Sequence, residues 1–370
     1  MSMTFRRSLL PCALAATAAT TAAADVPRVA TDVAPVHGLV ARVMAGVGEP
    51  ETVVQPGSSP HSYSMRPSEA RALEQADLVF WVGEELEPWL AGAVETLASD
   101  ARIVELLDAP GITTLEFRQG ATFGGHDHEG HEHAVDDRAD HDHEAEDHAD
   151  HDHEGAEHGH DNEGHAEHTH DHEDHDHGGE AHEDHDHESD DHAGHDHAHD
   201  GVDPHAWLDP ENGKVWLDLI AEELAALDPE NAETYRSNAA AGQDEIDGVI
   251  AEVRETLSAA GAIDFVVFHD AYHYFENRFD VPAAGAISLS DASDPTPARV
   301  EEIRDTVREL GVACVFSEPQ FDQRLVRTVL DGTEGQAGVI DPLGFEIEMG
   351  PDFYPALIRS IAEEMAGCAS

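Results

Sequence analysis

The chain has 370 residues, and its 79 acidic against 19 basic side chains leave a formal net charge of -60. Such an anionic excess argues against nucleic acid and anionic membrane surfaces as partners, because both would repel it. A single lysine, Lys214, stands beside 18 arginines, and the acidity reads as a solubility adaptation of the kind a saline habitat favours.

The N-terminus carries Arg6 and Arg7 before an apolar, alanine-rich run that ends in small residues, the pattern of a secretory signal peptide over 1-24 with cleavage before Asp25. A lipoprotein cut before Cys12 is disfavoured by Pro11 and by the apolar residues lying beyond it. From Arg28 short β-rich runs alternate with helical ones. Arg28 to Val33 reads as a strand, Pro35 to Gly46 as a helix, and ETVVQP (51–56) as a second strand, followed by a turn-rich loop. Ser68 is the expected N-cap of the helix SEARALEQ, and DLVFWVG (77–83) is a continuous apolar strand of the kind buried in parallel sheets. Pro88 to Ser99 reads as a helix and ARIVELL (101–107) as a further strand.

The stretch from His126 to His199 interrupts this order. It holds 24 of the 29 histidines, interleaved with Asp and Glu. Over 121-201 there are 30 acidic residues, one arginine and almost no aliphatic side chains, so the segment is expected to be disordered: it cannot bury enough apolar surface to offset its conformational entropy. Imidazole is the commonest side-chain metal ligand, and the carboxylates concentrate cations, so the composition points to secondary metal binding. Candidate ligands are His141, His143, His151, His153, His185, His187, His195, His197 and His199. Such sites should empty as pH falls below about 6.5, where protons compete for imidazole.

After the tract comes DPHAWLDPENG (203–213), in which Asp209 caps and Pro210 opens a helix running to Leu227. Asp228 to Glu230 restarts a helical pattern that continues to about Ala260, expected to be one long rigid connector. The second half then repeats the logic of the first: IDFVVFHD (263–270), a helix, AAGAISL (283–289), a helix, VACVF (312–316), a helix, AGVID (337–341) and a last helix from Asp352. Tandem alternation of this kind means α/β, with a parallel-type sheet flanked by helices in each of two lobes. The expected division is 25-227 for the first lobe, including the acidic loop, 228-260 for the helix and 261-370 for the second lobe.

In open α/β sheets ligands bind beyond the carboxyl ends of the strands. Four candidate ligands end or follow strands or stand in the loop after the tract: His61, His205, His269 and Asp341. Three imidazoles with a water or carboxylate form an N/O set suited to Zn²⁺, whereas a carboxylate-rich set would favour Mn²⁺. No HExxH or GxSxG pattern accompanies them, so a hydrolase is disfavoured and the protein is not expected to be an enzyme. His37 and His273 read as surface or core-edge residues, the latter with a possible outer role behind His269. The four tryptophans read as core, and Glu318 is given no role. Export leaves two cysteines, Cys314 and Cys368, either bridged or buried as thiols.

The runs HSYSMRPSEARALEQADLVFWVG, DPHAWLDPE, FHDAYHYFE, CVFSEPQF and DPLG resemble those of the zinc-binding receptors of bacterial ABC importers, the ZnuA family, in one order and over almost all the chain outside the leader. The resemblance implies a cluster A-I type metal receptor: two α/β lobes, a long backbone helix, zinc in the cleft between lobes, and a His-rich loop in the first lobe. It places the family's zinc histidines on His61, His205 and His269, and a disulfide on Cys314 and Cys368. Some members carry a glutamate immediately before the first histidine. Here that residue is Pro60, so water or Asp341 is expected to take the fourth position. The implied function is periplasmic zinc capture by a monomer and delivery to a membrane permease, with the His-rich loop as a secondary store or sensor. The alternatives are a manganese or iron receptor of the same fold, and a zinc buffer with no permease.

Overall fold

The computed structural model describes residues 26–123, 201–288, 295–321 and 323–368. The expected signal peptide and all nine candidate ligands of the His-rich tract lie outside them.

Among the described residues eight short strands form two parallel sheets. Strands β1 (Val29–Thr31), β2 (Glu51–Thr52), β3 (Leu78–Trp81) and β4 (Arg102–Glu105) make the first, in the order β2-β1-β3-β4. Strands β5 (Phe265–His269), β6 (Gly285–Ser288), β7 (Cys314–Ser317) and β8 (Gln336–Val339) make the second, in the order β6-β5-β7-β8. Between strands run α1 (Ala34–Met44), α2 (Pro67–Gln75) and α3 (Pro88–Leu97) in the first half, and α6 (His273–Phe279), α7 (Pro297–Leu310) and α8 (Gln323–Leu330) in the second. The chain passes from one sheet to the other through α4 (Pro210–Leu227) and α5 (Ala232–Ala260), and it ends in α9 (Phe353–Cys368).

The central strands are apolar on both faces because both faces are covered. Successive side chains of a strand point to opposite sides. Accordingly Val29, Leu78 and Phe80 of the first sheet join Phe265, Val267 and Phe316 of the second in one shared core. The alternate residues Ala30, Val79 and Trp81 pack outward with Leu73, Leu90 and Val94 of α2 and α3. Val266, Phe268 and Val315 pack likewise with Ile303, Val307, Val326 and Val329 of α7 and α8. The shared core is filled by α1, α4, α5 and α9, and the two sheets form one compact unit around it.

Helix α5 has 29 residues, about 43 Å at 1.5 Å per residue. Its buried stripe, Tyr235, Ala239, Gly242, Ile246, Val249, Val253 and Leu257, recurs every three or four positions and rests on α4, α9 and α1. Asp228 organises its start, accepting hydrogen bonds from Asn231 Nδ2 and Tyr235 Oη. Asp209 caps α4 as expected, accepting from the backbone N–H of Glu211. Ser68 does not cap α2. The helix begins one residue earlier because Pro67 supplies a pre-set φ at the first position, which makes Arg66 the N-cap, and the Glu69 carboxylate accepts the Arg66 backbone N–H at 2.6 Å. Cys314 and Cys368 are joined as a disulfide, Cα atoms 6.1 Å apart, tying the start of β7 to the end of α9. Among the described residues no helix is long and apolar enough to cross a membrane.

Candidate metal centre

Each half brings side chains to the carboxyl ends of its strands. His61 follows β2 in a loop held from two sides. Trp89 Nε1 donates to the Pro60 carbonyl at 2.6 Å, and the Phe345 ring lies so close to Gly57 that a Cβ there would stand 2.6 Å from it. Gly57 has φ +83°, so both its conformation and its neighbour require glycine. Trp89 is therefore only partly a core residue; its indole also fixes this loop.

His205 begins a single 3-10 turn (Ala206–Leu208) whose Trp207 and Leu208 are fully buried. Trp207 Nε1 donates to the Pro342 carbonyl at 2.8 Å, and its ring centroid lies 5.2 Å from that of His205. His269 is the last residue of β5, at the point where the strand order of the second sheet reverses.

One ring nitrogen from each of His61, His205 and His269 lies within 4.8 Å of the others. His205 and His269 are 3% exposed, and their Nε2 atoms face each other at 3.2 Å. The far nitrogens are engaged: His205 Nδ1 lies 2.7 Å from Asp203 Oδ1, and His269 Nδ1 lies 2.8 Å from Glu318 Oε1. Two carboxylates accepting from the Nδ1 positions fix the Nδ1–H tautomer and turn both Nε2 lone pairs toward the same point. Two lone pairs so placed repel each other unless a cation lies between them. A tetrahedral zinc with Zn–N bonds of about 2.05 Å separates its nitrogens by about 3.3 Å, so the observed gap suits that ion.

Electrostatics favour the same occupant. Burial, then the neighbouring His269, hold His205 well below its ordinary value, which leaves the imidazole neutral and free of proton competition. Burial pushes Asp203 up to about 7, so its negative charge is poorly compensated until a cation arrives. Between the three rings, Gln320 and the Pro342–Leu343 turn is a cavity of about 10 Å³, the space of one water or one bare ion.

Asp341 does not join the cluster. Its Oδ1 accepts the Leu343 backbone N–H at 2.9 Å and its Oδ2 that of Phe345 at 2.6 Å, so the carboxylate organises the DPLG turn. His273 Nδ1 is 3.9 Å from Asp203 Oδ2, too far for a hydrogen bond, and His37 turns Nε2 to the Pro50 carbonyl. Two groups that touch the buried imidazoles are not marked out in the sequence. Glu318, 1% exposed at the end of β7, and Asp203, 1% exposed, orient the two buried imidazoles. Their signals were faint: a carboxylate at a strand end, and an Asp two residues before a ligand.

The chain matches the family described as zinc-uptake complex component A, periplasmic, over residues 29–368. High-affinity zinc uptake system protein ZnuA of Brucella suis biovar 1 (strain 1330) is 43% identical over 342 residues, 92% of this chain and 91% of that protein. The protein of the same name from Paracoccus denitrificans (strain Pd 1222) is 42% identical over 362 residues, 98% and 97% of the two chains. Among solved structures, a crystal structure of ZnuA is similar with a TM-score of 0.64 at 18% identity, covering 94% of this chain and all (100%) of that one. Periplasmic zinc binding protein TroA from Treponema pallidum is similar with a TM-score of 0.62 at 16% identity, covering 93% and 99%. At these identities the likeness to the solved structures is one of fold.

Proposed function

Because the chain belongs to the family of periplasmic zinc-uptake components, the ZnuA proteins, we propose that it captures zinc with His61, His205 and His269 and hands it to the permease of an ABC importer. The observation that carries the site is the convergence of three ring nitrogens within 4.8 Å from segments far apart in the chain, two of them oriented by buried carboxylates. Zinc is the cargo. Three imidazoles bind it firmly, while a fourth position left to water keeps the site open enough for release, unlike a closed structural site. An all-nitrogen set also suits zinc better than manganese, which prefers carboxylate oxygen.

In this reading the receptor works in the periplasm, as a monomer. Catalysis is not part of this reading. A hydrolytic zinc needs a carboxylate base beside its water, and the two carboxylates that touch the buried ligands, Asp203 and Glu318, are already engaged with ring nitrogens. The His-rich tract then serves as a secondary, many-sited zinc element beside the one cleft site.

Titration calorimetry on a variant lacking residues 126–199 tests the division of labour. One tight zinc site per chain should survive the deletion and vanish on adding His269→Ala. Loss of tight binding with the tract alone would place the principal site in the tract and sink the cleft assignment.

A further inference from the structure

The two chain segments that flank the His-rich tract meet beside the metal centre. Glu116 and Val202 form an antiparallel bridge, with the Phe117 N–H donating to the Gly201 carbonyl at 3.1 Å and the Asp203 N–H to the Leu115 carbonyl at 2.8 Å. One arm of this stem runs straight into Asp203 and His205. Helix α6, which follows His269, grips both arms: Tyr274 Oη accepts the Leu115 N–H at 2.9 Å and donates to the Asp203 carbonyl at 2.8 Å.

The other arm carries Arg118. Its guanidinium meets two carboxylates that are 3% exposed as side chains, Asp270 and Glu276. Arg118 Nε donates to both oxygens of Asp270 at 3.1 Å, and Nη2 donates to Asp270 Oδ1 as well. Nη1 donates to Glu276 Oε2 at 2.6 Å and Nη2 to Oε1 at 2.8 Å. Phe123 covers the guanidinium, 3.7 Å from its Cζ to the ring centroid. Asp270 is the residue after His269, in a turn closed by the Ala271 N–H donating to the His269 carbonyl at 2.9 Å. Glu276 Oε2 also accepts the Ala283 N–H at 2.9 Å, so the same carboxylate tethers the loop into β6.

We infer that Arg118 is a positioning residue for the zinc site: by forking onto Asp270 and Glu276 it fixes the turn that presents His269 and locks that turn to the stem that presents His205. The inference rests on the zinc site proposed above. Two buried carboxylates beside a metal ligand are tolerable only if paired, and a planar guanidinium meets each through two N–H groups, which an ammonium cannot do. The two buried ligands, 64 residues apart in sequence, thereby share one support and move together or not at all. Arg118 never touches the metal, so its effect on zinc passes through ligand geometry.

The test uses the full-length chain with Arg118→Ala and Arg118→Lys. It reads the rate at which zinc passes to a chelator, the visible absorption of substoichiometric Co²⁺ as a reporter of tetrahedral ligation, and the melting temperature without metal. Arg118→Ala should release zinc at least about tenfold faster, the scale of losing an outer-shell partner, and should weaken or shift the Co²⁺ bands. Arg118→Lys should fall between it and the unaltered protein on both readouts. A lower melting temperature with unchanged release and unchanged bands would make Arg118 a merely structural residue and overturn the inference. Should Arg118→Ala fail to fold, the lysine variant decides by the same two readouts. Co²⁺ bands in the unaltered protein that are identical in His269→Ala would remove the zinc-site assignment itself, and the inference with it, an outcome recognisable without any Arg118 variant.

Discussion

Glu318 and Asp203 decide what the histidines present. Each imidazole has two nitrogens, and only the one not engaged elsewhere can ligate. By accepting from Nδ1, the carboxylates commit Nε2 of His269 and His205 to the cleft and raise its basicity. Glu318→Gln keeps the shape of the side chain but removes its charge. We expect it to lower zinc affinity by about 10- to 100-fold with little change in fold, and Asp203→Asn to do the same. Competition against a chelator of known affinity measures this, and affinities equal to the unaltered protein would show that the contacts only fill space. The three histidines could be picked out in sequence because each ends a strand, follows one or stands in the loop after the tract, inside a distinctive run. Glu318 was not, because its role exists only through a partner 49 residues away. Asp341 lies outside the three-histidine group for a related reason: a carboxylate at a strand end can as well accept backbone N–H groups of its own turn, and here it does so twice.

At the scale of elements, the two halves use the same strand order, and each reverses between its first and third strands. The reversal in the second sheet carries His269 and Glu318. The equivalent place in the first carries a buried pair of acids, Asp32 at the end of β1 and Glu87 before α3, 1% and 0% exposed. Asp32 accepts backbone N–H bonds from Val33 and Val82, while no donor among the described residues reaches either oxygen of Glu87. Glu87 is therefore the proton holder of the pair; burial, then the charge of Asp32, raise it well above its ordinary value of 4.5. The unfolded chain would release that proton near 4.5, so folding takes up a proton above that pH. The stability this gives is complete in acid and shrinks as pH rises toward the folded-state value. Glu87→Gln, which can donate to Asp32 at any pH, should be more stable than the unaltered protein at pH 8 by about 1–3 kcal/mol, with the gap closing toward pH 4.5. Urea unfolding at the two pH values checks it; a gap independent of pH would mean that Glu87 is ionised in the folded chain. The strands themselves were legible because sheets covered on both faces write long apolar runs. Their ends were less so: β2 keeps two residues of the six in ETVVQP, and β8 stops at Val339, where the chain turns away before Asp341.

At the scale of the whole molecule, a shared core joins the two sheets in one unit among the described residues. Helices α5 and α9 cross it together, and the disulfide fastens α9 to the second sheet. Alternation of strands and helices predicted both sheets but could not show that they would share a core, since the same apolar stripes on α1, α4, α5 and α9 fit either arrangement. The disulfide sits where it can stabilise without touching function. β7 enters at Cys314 and leaves at Ser317, and Glu318 follows, so the bridge and the metal centre lie at opposite ends of one strand, about 13 Å apart at 3.3 Å per residue. Cross-linking residues 54 positions apart restricts the unfolded chain, by about 4 kcal/mol on the chain-entropy account. The double variant Cys314→Ala/Cys368→Ala should therefore lose up to about 4 kcal/mol in denaturant unfolding. Its zinc affinity, measured below the unfolding range, should stay within about twofold of the unaltered protein, a difference of roughly 0.4 kcal/mol on the affinity scale. A large fall in affinity with the fold intact would instead mean that strain at the α9 end of β7 travels the length of the strand to Glu318, and that the sheet transmits what the shared core is expected to absorb.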